Sequence, residues 1–225
     1  MLKRKRIIHK AANKLEVFHD IIRKRFEEKG DLKYTLVYVP EGNKPDYLAG
    51  SDDFDSTDVI DDDVESEHLI DQYSSMVLNI DEKITIRKFI SGQKDRDAIL
   101  NDFASGKLQV LTSMKCLDEG VDVPRSELAI FCSSTGNPRQ FIQRRGRILR
   151  THPDKHMAEL HDLVVAPEIR YDSTSYRMEQ RLLMNELMRV KNFALLSENL
   201  AFTEMELRGV MEHYGLNLYN NDYTQ

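Results

Sequence analysis

No apolar run in these 225 residues approaches the roughly 18 that a membrane-crossing helix needs, so a transmembrane span is not expected. Nor is a secretory leader expected. The basic start Met1-Leu2-Lys3-Arg4-Lys5-Arg6 is followed only by Ile7-Ile8 before charge returns, where a leader needs about 7–15 apolar residues. Cysteine is scarce: Cys116 and Cys132, each among apolar neighbours, read as structural thiols in a reducing compartment and not as a disulfide framework or a nucleophile. The sequence contains no G-x-x-x-x-G-K-[ST] loop and no D-E-x-[DH] box, so a self-contained phosphate-cradling and magnesium-holding site is not expected. No Ser–His–Asp order or paired-carboxylate site stands out. His152, His156 and His161 with Asp162 are loosely spaced and interrupted by Pro153, so they read as surface residues and no metal site is expected.

What is present is globular. Hydrophobic residues make up 40% and charged residues 31%, enough for a buried core under a hydrophilic surface. The formal charge of −6 argues against a nucleic-acid partner only until it is dissected. Twelve acidic residues and one lysine fall between Glu41 and Asp71, and the remainder carries 31 basic against 26 acidic groups. With its Asp, Ser and Gly and no helical period, the 41–71 stretch reads as a mobile, solvated loop. Its spacing does not fit a calcium loop, which needs Gly sixth and Glu twelfth.

Along the chain, Ile8, Ala12, Leu15, Phe18, Ile22 and Phe26 predict an amphipathic helix from about Ile7 to Glu28. Tyr34 to Pro40 reads as an apolar strand. A helix follows from Glu65 to Asn79, then a strand from Lys83 to Phe89. After Ser91-Gly92 comes a helix burying Ile99, Leu100 and Phe103, and then strands at Leu108–Thr112, Leu128–Cys132 and Leu163–Ala166. Apolar strands alternating with helices predict an α/β fold, a parallel sheet covered on both faces. Ligands bind such sheets beyond the carboxyl ends of the strands, which directs attention to the loops after Val39, Thr112 and Cys132. From Ile169 the pattern is helical only, with Leu182, Leu183, Leu187 and Val190 periodic. A last helix is expected to open at Thr203, capped by Glu206, and to stop at Gly215. The expected divisions are an N-terminal helix over 1–30, an α/β domain over 31–168 and a helical extension over 169–225.

The segment after Cys132 carries the most chemistry. Asn137 suits an N-cap and Pro138 a first helical position. On a wheel of about 100° per residue, Phe141, Ile142, Ile148 and Leu149 gather within roughly 120° and predict the buried face. Arg139, Gln143, Arg147 and Arg150 gather within roughly 80° on the other side. Guanidinium forks aimed one way suit phosphate and the charge that develops during phosphoryl transfer, although an ordinary solvated basic face has the same pattern. Two residues do not fit simply. Gly146 costs a helix interior about 1 kcal/mol, which a close approach by a backbone or ligand would explain. Arg145 falls in the apolar arc and must either run out along its stem or mark a bend.

These residues resemble a known family. Gln143-Arg144-Arg145-Gly146-Arg147-Ile148-Leu149-Arg150 is similar to motif VI of superfamily 2 helicases, Q-x-x-G-R-x-x-R. Leu111 to Pro124, with Thr112-Ser113 and Asp118-Glu119-Gly120-Val121-Asp122, resembles motif V, and Leu36–Val39 falls where motif IV belongs. The resemblance runs from about Lys33 to Pro167 and implies the second RecA-like domain of a DEAD/DEAH-type ATPase. It implies arginine fingers at Arg147 and Arg150, a phosphate-sensing Gln143, and Glu119, Gly120 and Asp122 beside the nucleotide. It also implies that Thr112 and Ser113 touch the nucleic-acid backbone, a role hydroxyls can fill without reading bases. DEAD-box RNA helicases carry His where Gln143 stands, so the motif is closer to excision-repair and restriction-type DNA helicases. DNA is preferred as partner, with RNA as the alternative. Arg145 replaces a residue that is often apolar in those relatives.

ATP and magnesium are then expected to bind jointly with a first RecA-like domain, from the same polypeptide or a partner, and the chain alone is expected to be inactive. A cytoplasmic location is expected, with nucleoid or nucleus as alternatives. The competing reading is a non-catalytic nucleic-acid-binding or protein-interaction module that keeps the same fold.

Overall fold

The computed structural model describes residues 11, 13–40, 59–90, 92–114, 123, 125–132, 138–171 and 174–219, with only the backbone of 59–67 and 138–140. Its five strands are β1 (Thr35–Tyr38), β2 (Ile86–Phe89), β3 (Val110–Ser113), β4 (Leu128–Phe131) and β5 (Glu159–Asp162). Its helices are α1 (Asn13–Lys29), α2 (Val59–Leu78), α3 (Arg96–Ala104), α4 (Pro138–Ile148), α5 (Tyr176–Ala194) and α6 (Leu200–His213). All strand pairs are parallel, in the order β2-β3-β1-β4-β5. Among the described residues no helix is long and apolar enough to cross a membrane.

Two compact units emerge: Met1–Ser134 with Gly146–Leu163, and Thr135–Arg145 with Val164–Gln225. In the first, β1, β3 and β4 are buried along their whole length, as strands covered on both faces must be. Alternation then sorts their side chains. Val37, Val39, Val110, Leu128, Ile130 and Cys132 point into a core completed by Phe18 and Ile22 of α1 and Ile70, Tyr73 and Val77 of α2. On β1 and β4, Tyr38 and Phe131 are register partners whose rings stack at 4.8 Å and 2°, the natural spacing of neighbouring strands. Phe103 of α3 meets Tyr34 edge-on. Gly106, at φ +75°, closes α3 where a Cβ would come within 2.7 Å of the Tyr34 hydroxyl, so this helix end requires glycine.

The core of the second unit is built on a helical pair. Leu183, Leu187, Val190 and Ala194 of α5 pack with Met211, Tyr214, Leu216 and Leu218. α6 ends in a Schellman turn: Leu216 N–H donates to Met211 C=O at 2.8 Å and Gly215 N–H to Glu212 C=O at 3.2 Å, with Gly215 at φ +61°. Buried in this unit, Arg189 forks onto Glu186 at 3.2 and 2.9 Å, and Glu186 also accepts from Val165 N–H at 3.3 Å.

Among the departures from the sequence reading, three concern the placement of an element. α2 begins at Val59, six residues before the expected Glu65, so the carboxyl part of the expected acidic loop is helical. Residues 41–58 of that loop lie outside the described residues. The last strand is Glu159–Asp162 and not Leu163–Ala166. Edge strand β5 pairs on one side only and is partly exposed, so it lacks an apolar signature, and the apolar run begins where the ladder ends, at Leu163 N–H to Phe131 C=O, 3.0 Å. α6 opens at Leu200, three residues before Thr203; the amide of Thr203 already donates to Asn199 C=O at 3.2 Å, so no capping box forms there.

Candidate functional site

β1 lies between β3 and β4, which follow it in the chain on opposite sides, so the order of the sheet reverses there. Such a switch point opens a crevice at the carboxyl ends of the strands. Val39 N–H donates to Ser113 C=O at 2.8 Å and Cys132 N–H to Tyr38 C=O at 2.9 Å, which ties the three central strand ends together. Beneath them Lys14 of α1, itself buried, donates from Nζ to Cys132 C=O at 3.0 Å. Burial pushes the Cys132 thiol far above its ordinary range, against the opposing pull of Lys14. Burial likewise raises the Tyr73 hydroxyl, which shares a hydrogen bond with that thiol. A protonated, fully buried thiol serves packing and not nucleophilic chemistry.

Thr112 and Ser113 lie at the carboxyl end of β3, as expected, but both are fully buried. The Thr112 hydroxyl turns inward, 3.3 Å from Ser74 Oγ and 3.3 Å from Arg87 C=O. Alternation explains this, because a β-branched residue inside a strand covered on both faces has no route to solvent. Two polar residues at the neighbouring strand end were not singled out from the sequence. Gln93 braces the turn after β2, accepting from Ile90 N–H at 3.0 Å and donating to Lys88 C=O at 3.1 Å. The Arg96 guanidinium lies 4.6 Å from the centroid of Phe89, the register partner of Ser113. Gly92 followed by a polar pair was the available signal.

Helix α4 starts at Pro138, as its sequence predicts. Its inward face is not the expected one. Phe141, Arg144 and Ile148 are buried, whereas Ile142 and Leu149 are 42% and 46% exposed. The face is therefore turned by roughly 70° from the apolar arc of the wheel. The outward stripe survives that rotation: Gln143 and Arg150 are exposed and Arg147 is half-buried. Arg150 N–H donates to Arg147 C=O at 3.3 Å in the turn that follows the end of the helix at Ile148. Guanidinium forks such as those of Arg147 and Arg150, three residues apart, are of the kind that suits anionic oxygen. Of Arg139 only the backbone is described, and Glu119, Gly120 and Asp122 lie outside the described residues.

The two puzzling positions resolve differently. A Cβ on Gly146 would meet nothing within 4 Å, so no described atom of the chain itself explains this glycine, and the helix runs through it to Ile148. Arg145 neither reaches solvent freely nor marks a bend: its Nη1 donates to the backbone carbonyl of Asn192, with the guanidinium over the Phe193 ring at 5.8 Å. The histidines are separately engaged. His152 Nδ1 accepts from Asp154 N–H at 3.2 Å, and His161 Nε2 meets Glu159 at 2.6 Å. That contact, with the charge of Arg25, holds the Glu159 carboxyl below its ordinary range despite partial burial.

Residues 63–152 match the family described as helicase conserved C-terminal domain. Over 67 residues the chain is 42% identical to the DNA 3'-5' translocase XPB2 of Sulfurisphaera tokodaii, which covers 30% of this chain and 15% of that protein. It is also 42% identical over 55 residues to the ATP-dependent RNA helicase FAL1 of Yarrowia lipolytica, covering 24% of this chain and 14% of that one. Among solved structures, T4 UvsW aligns over 85% of this chain and 34% of its own, with a TM-score of 0.52 and 15% identity, a likeness of fold. The matched stretches thus span about a seventh of the length of these curated relatives.

Proposed function

We propose that this chain, whose residues 63–152 match the helicase conserved C-terminal domain, is the second, RecA-like motor domain of a superfamily 2 ATP-dependent DNA helicase or translocase. The observation that carries this reading is the spacing of Gln143, Arg147 and Arg150 along and just beyond α4, with Gln143 and Arg150 exposed and Arg147 half-buried, while Arg144 of the same helix is buried. Arg147 and Arg150 would place guanidinium charge on the γ-phosphate as it transfers, and Gln143 would register that phosphate. Glu119, Gly120 and Asp122 are proposed beside the nucleotide. Bound ATP and magnesium supply the phosphoryl group and the metal charge; the phosphate-cradling loop and magnesium-holding carboxylate come from a first RecA-like domain, since the sequence has neither.

For the nucleic acid, the proposed grip is the carboxyl edge of β2 and β3. Thr112 and Ser113 end β3 there with buried side chains, Thr112 against Ser74, so the cation proposed to meet a phosphate at this edge is Arg96 beside Phe89. Backbone gripping of this kind fixes position without reading sequence. DNA is preferred over RNA because motif VI begins with Gln143 and because the chain resembles XPB2, which is named as a DNA translocase.

The test is nucleic-acid-stimulated ATP hydrolysis with the first RecA-like domain present. Arg147→Ala is expected to lower turnover by about 10³-fold without changing the unfolding midpoint. Wild-type turnover in that variant would refute the finger assignment. Turnover stimulated by RNA but not by DNA duplex would move the substrate to RNA. The 225 residues alone are expected to show no stimulated hydrolysis.

A further inference from the structure

We infer that Arg145, with Phe193, is a positioning clamp for the finger helix, a role that rests on the motor-domain reading above. α4 has only 11 residues, carries an interior glycine, and is too short to be stable by itself. Its direction must therefore be set by side-chain contacts. Before Gly146 these include the Phe141 ring, 6.0 Å from the Phe193 ring, and the Arg145 guanidinium on Asn192 C=O and over Phe193.

The far end of the clamp is built to receive a cation. The last four carbonyls of α5 have no continuing helix to bond. Three are taken by the chain that follows: Lys191 C=O by Leu195 N–H at 3.1 Å, Phe193 C=O by Leu196 N–H at 3.3 Å, and Ala194 C=O by Ser197 N–H at 3.0 Å. Leu196 bonds one residue short of the regular α-helical partner, which leaves Asn192 C=O to Arg145. A guanidinium at a helix C-terminus is favoured by both the hydrogen bond and the dipole. Arg145 therefore has a directed partner that an apolar residue would lack, and it stands two positions before Arg147 on the same helix. Beyond Gly146, Lys155 Nζ donates to Ile148 C=O at 2.7 Å and holds the other end.

A clamp of this kind acts on the orientation of the fingers and not on substrate affinity. In the assembled ATPase, Arg145→Leu and Phe193→Ala are each expected to lower kcat about tenfold, with KM for ATP changed less than about twofold. Arg145→Lys, which keeps a cation for the carbonyl, is expected to retain most of kcat. In the 225-residue chain, amides of 142–149 are expected to exchange about tenfold faster in Arg145→Leu, with β1, β3 and β4 unchanged. Unchanged α4 exchange, or exchange that rises equally throughout the sheet, would overturn the clamp. So would wild-type kcat in both Arg145→Leu and Phe193→Ala when Arg147→Ala is inactive. If Arg147→Ala itself keeps full turnover, the finger reading has failed, and α4 exchange alone decides whether Arg145 holds the helix.

Discussion

The ammonium of Lys14 donates to the backbone carbonyl of Cys132 at 3.0 Å, joining residues 118 positions apart. The bond fixes the start of α1 to the carboxyl end of β4, at the edge where the switch-point crevice opens. Hydrogen bonds involving a charged group contribute about 1.5–3 kcal/mol, and a buried partner left alone costs the same order. Lys14→Met keeps the aliphatic stem and removes the donor, so it should lower unfolding free energy in urea by about that amount. An unchanged midpoint would mean that the bond contributes nothing net.

Neighbouring residues on α4 should separate stability from activity. Arg144 is 3% exposed and Gln143 is exposed. Arg144→Ala should lower the melting temperature measurably, because truncating a buried guanidinium leaves both a cavity and unmatched partners. Gln143→Ala should leave melting within about 0.5 kcal/mol of wild type while reducing ATP turnover in the assembled motor. The reverse pattern would assign the outward face to structure.

The Glu186–Arg189 pair makes a sharper stability test. Both side chains are buried, and the fork is bidentate. Glu186→Leu strands a buried cation and should destabilise the helical unit by about 3–5 kcal/mol. The double variant Glu186→Leu/Arg189→Met should recover much of that loss, since a buried pair is often replaceable by apolar packing. A double-mutant cycle in chemical denaturation reads the coupling. Additive effects would show that the two charges do not depend on each other.

Alkaline pH should loosen the same unit through Tyr214. Burial, reinforced by the hydrogen bond to the Glu179 carboxylate at 3.0 Å, pushes its hydroxyl from the ordinary 10.0 up to about 12. The folded state therefore holds the proton more tightly than the unfolded chain. That contribution is complete below the ordinary value and is lost as pH rises through the folded one. Denaturation followed against pH should show stability falling across this window, and Tyr214→Phe should flatten the fall. A slope unaltered by the substitution would place its origin elsewhere.

Thiol chemistry gives the last check. In a Cys116→Ser background, Cys132 should react with a neutral thiol reagent no faster than the chain unfolds, because it is fully buried and its thiol is held protonated. Rapid modification of folded protein would contradict that burial.

The sequence by itself determined the order of strands and helices, because a strand buried on both faces must be apolar throughout, as Leu36–Tyr38 and Leu128–Phe131 are. It also determined the identity of the outward stripe, since Gln143, Arg147 and Arg150 recur at steps that only a helix aligns. It could not place β5, whose Glu159 and His161 are tolerated because an edge strand needs no second partner. Nor could it turn α4 to the correct face. Periodicity ranks residues by polarity, and polarity favoured Ile142 and Leu149 over Arg144 for the interior. Only the tertiary structure decided that Arg145 caps a carbonyl of α5, that Thr112 faces Ser74, and that Lys14 reaches Cys132. A buried polar group is settled by the partner it finds, and those partners lie 38 to 118 positions away in the chain.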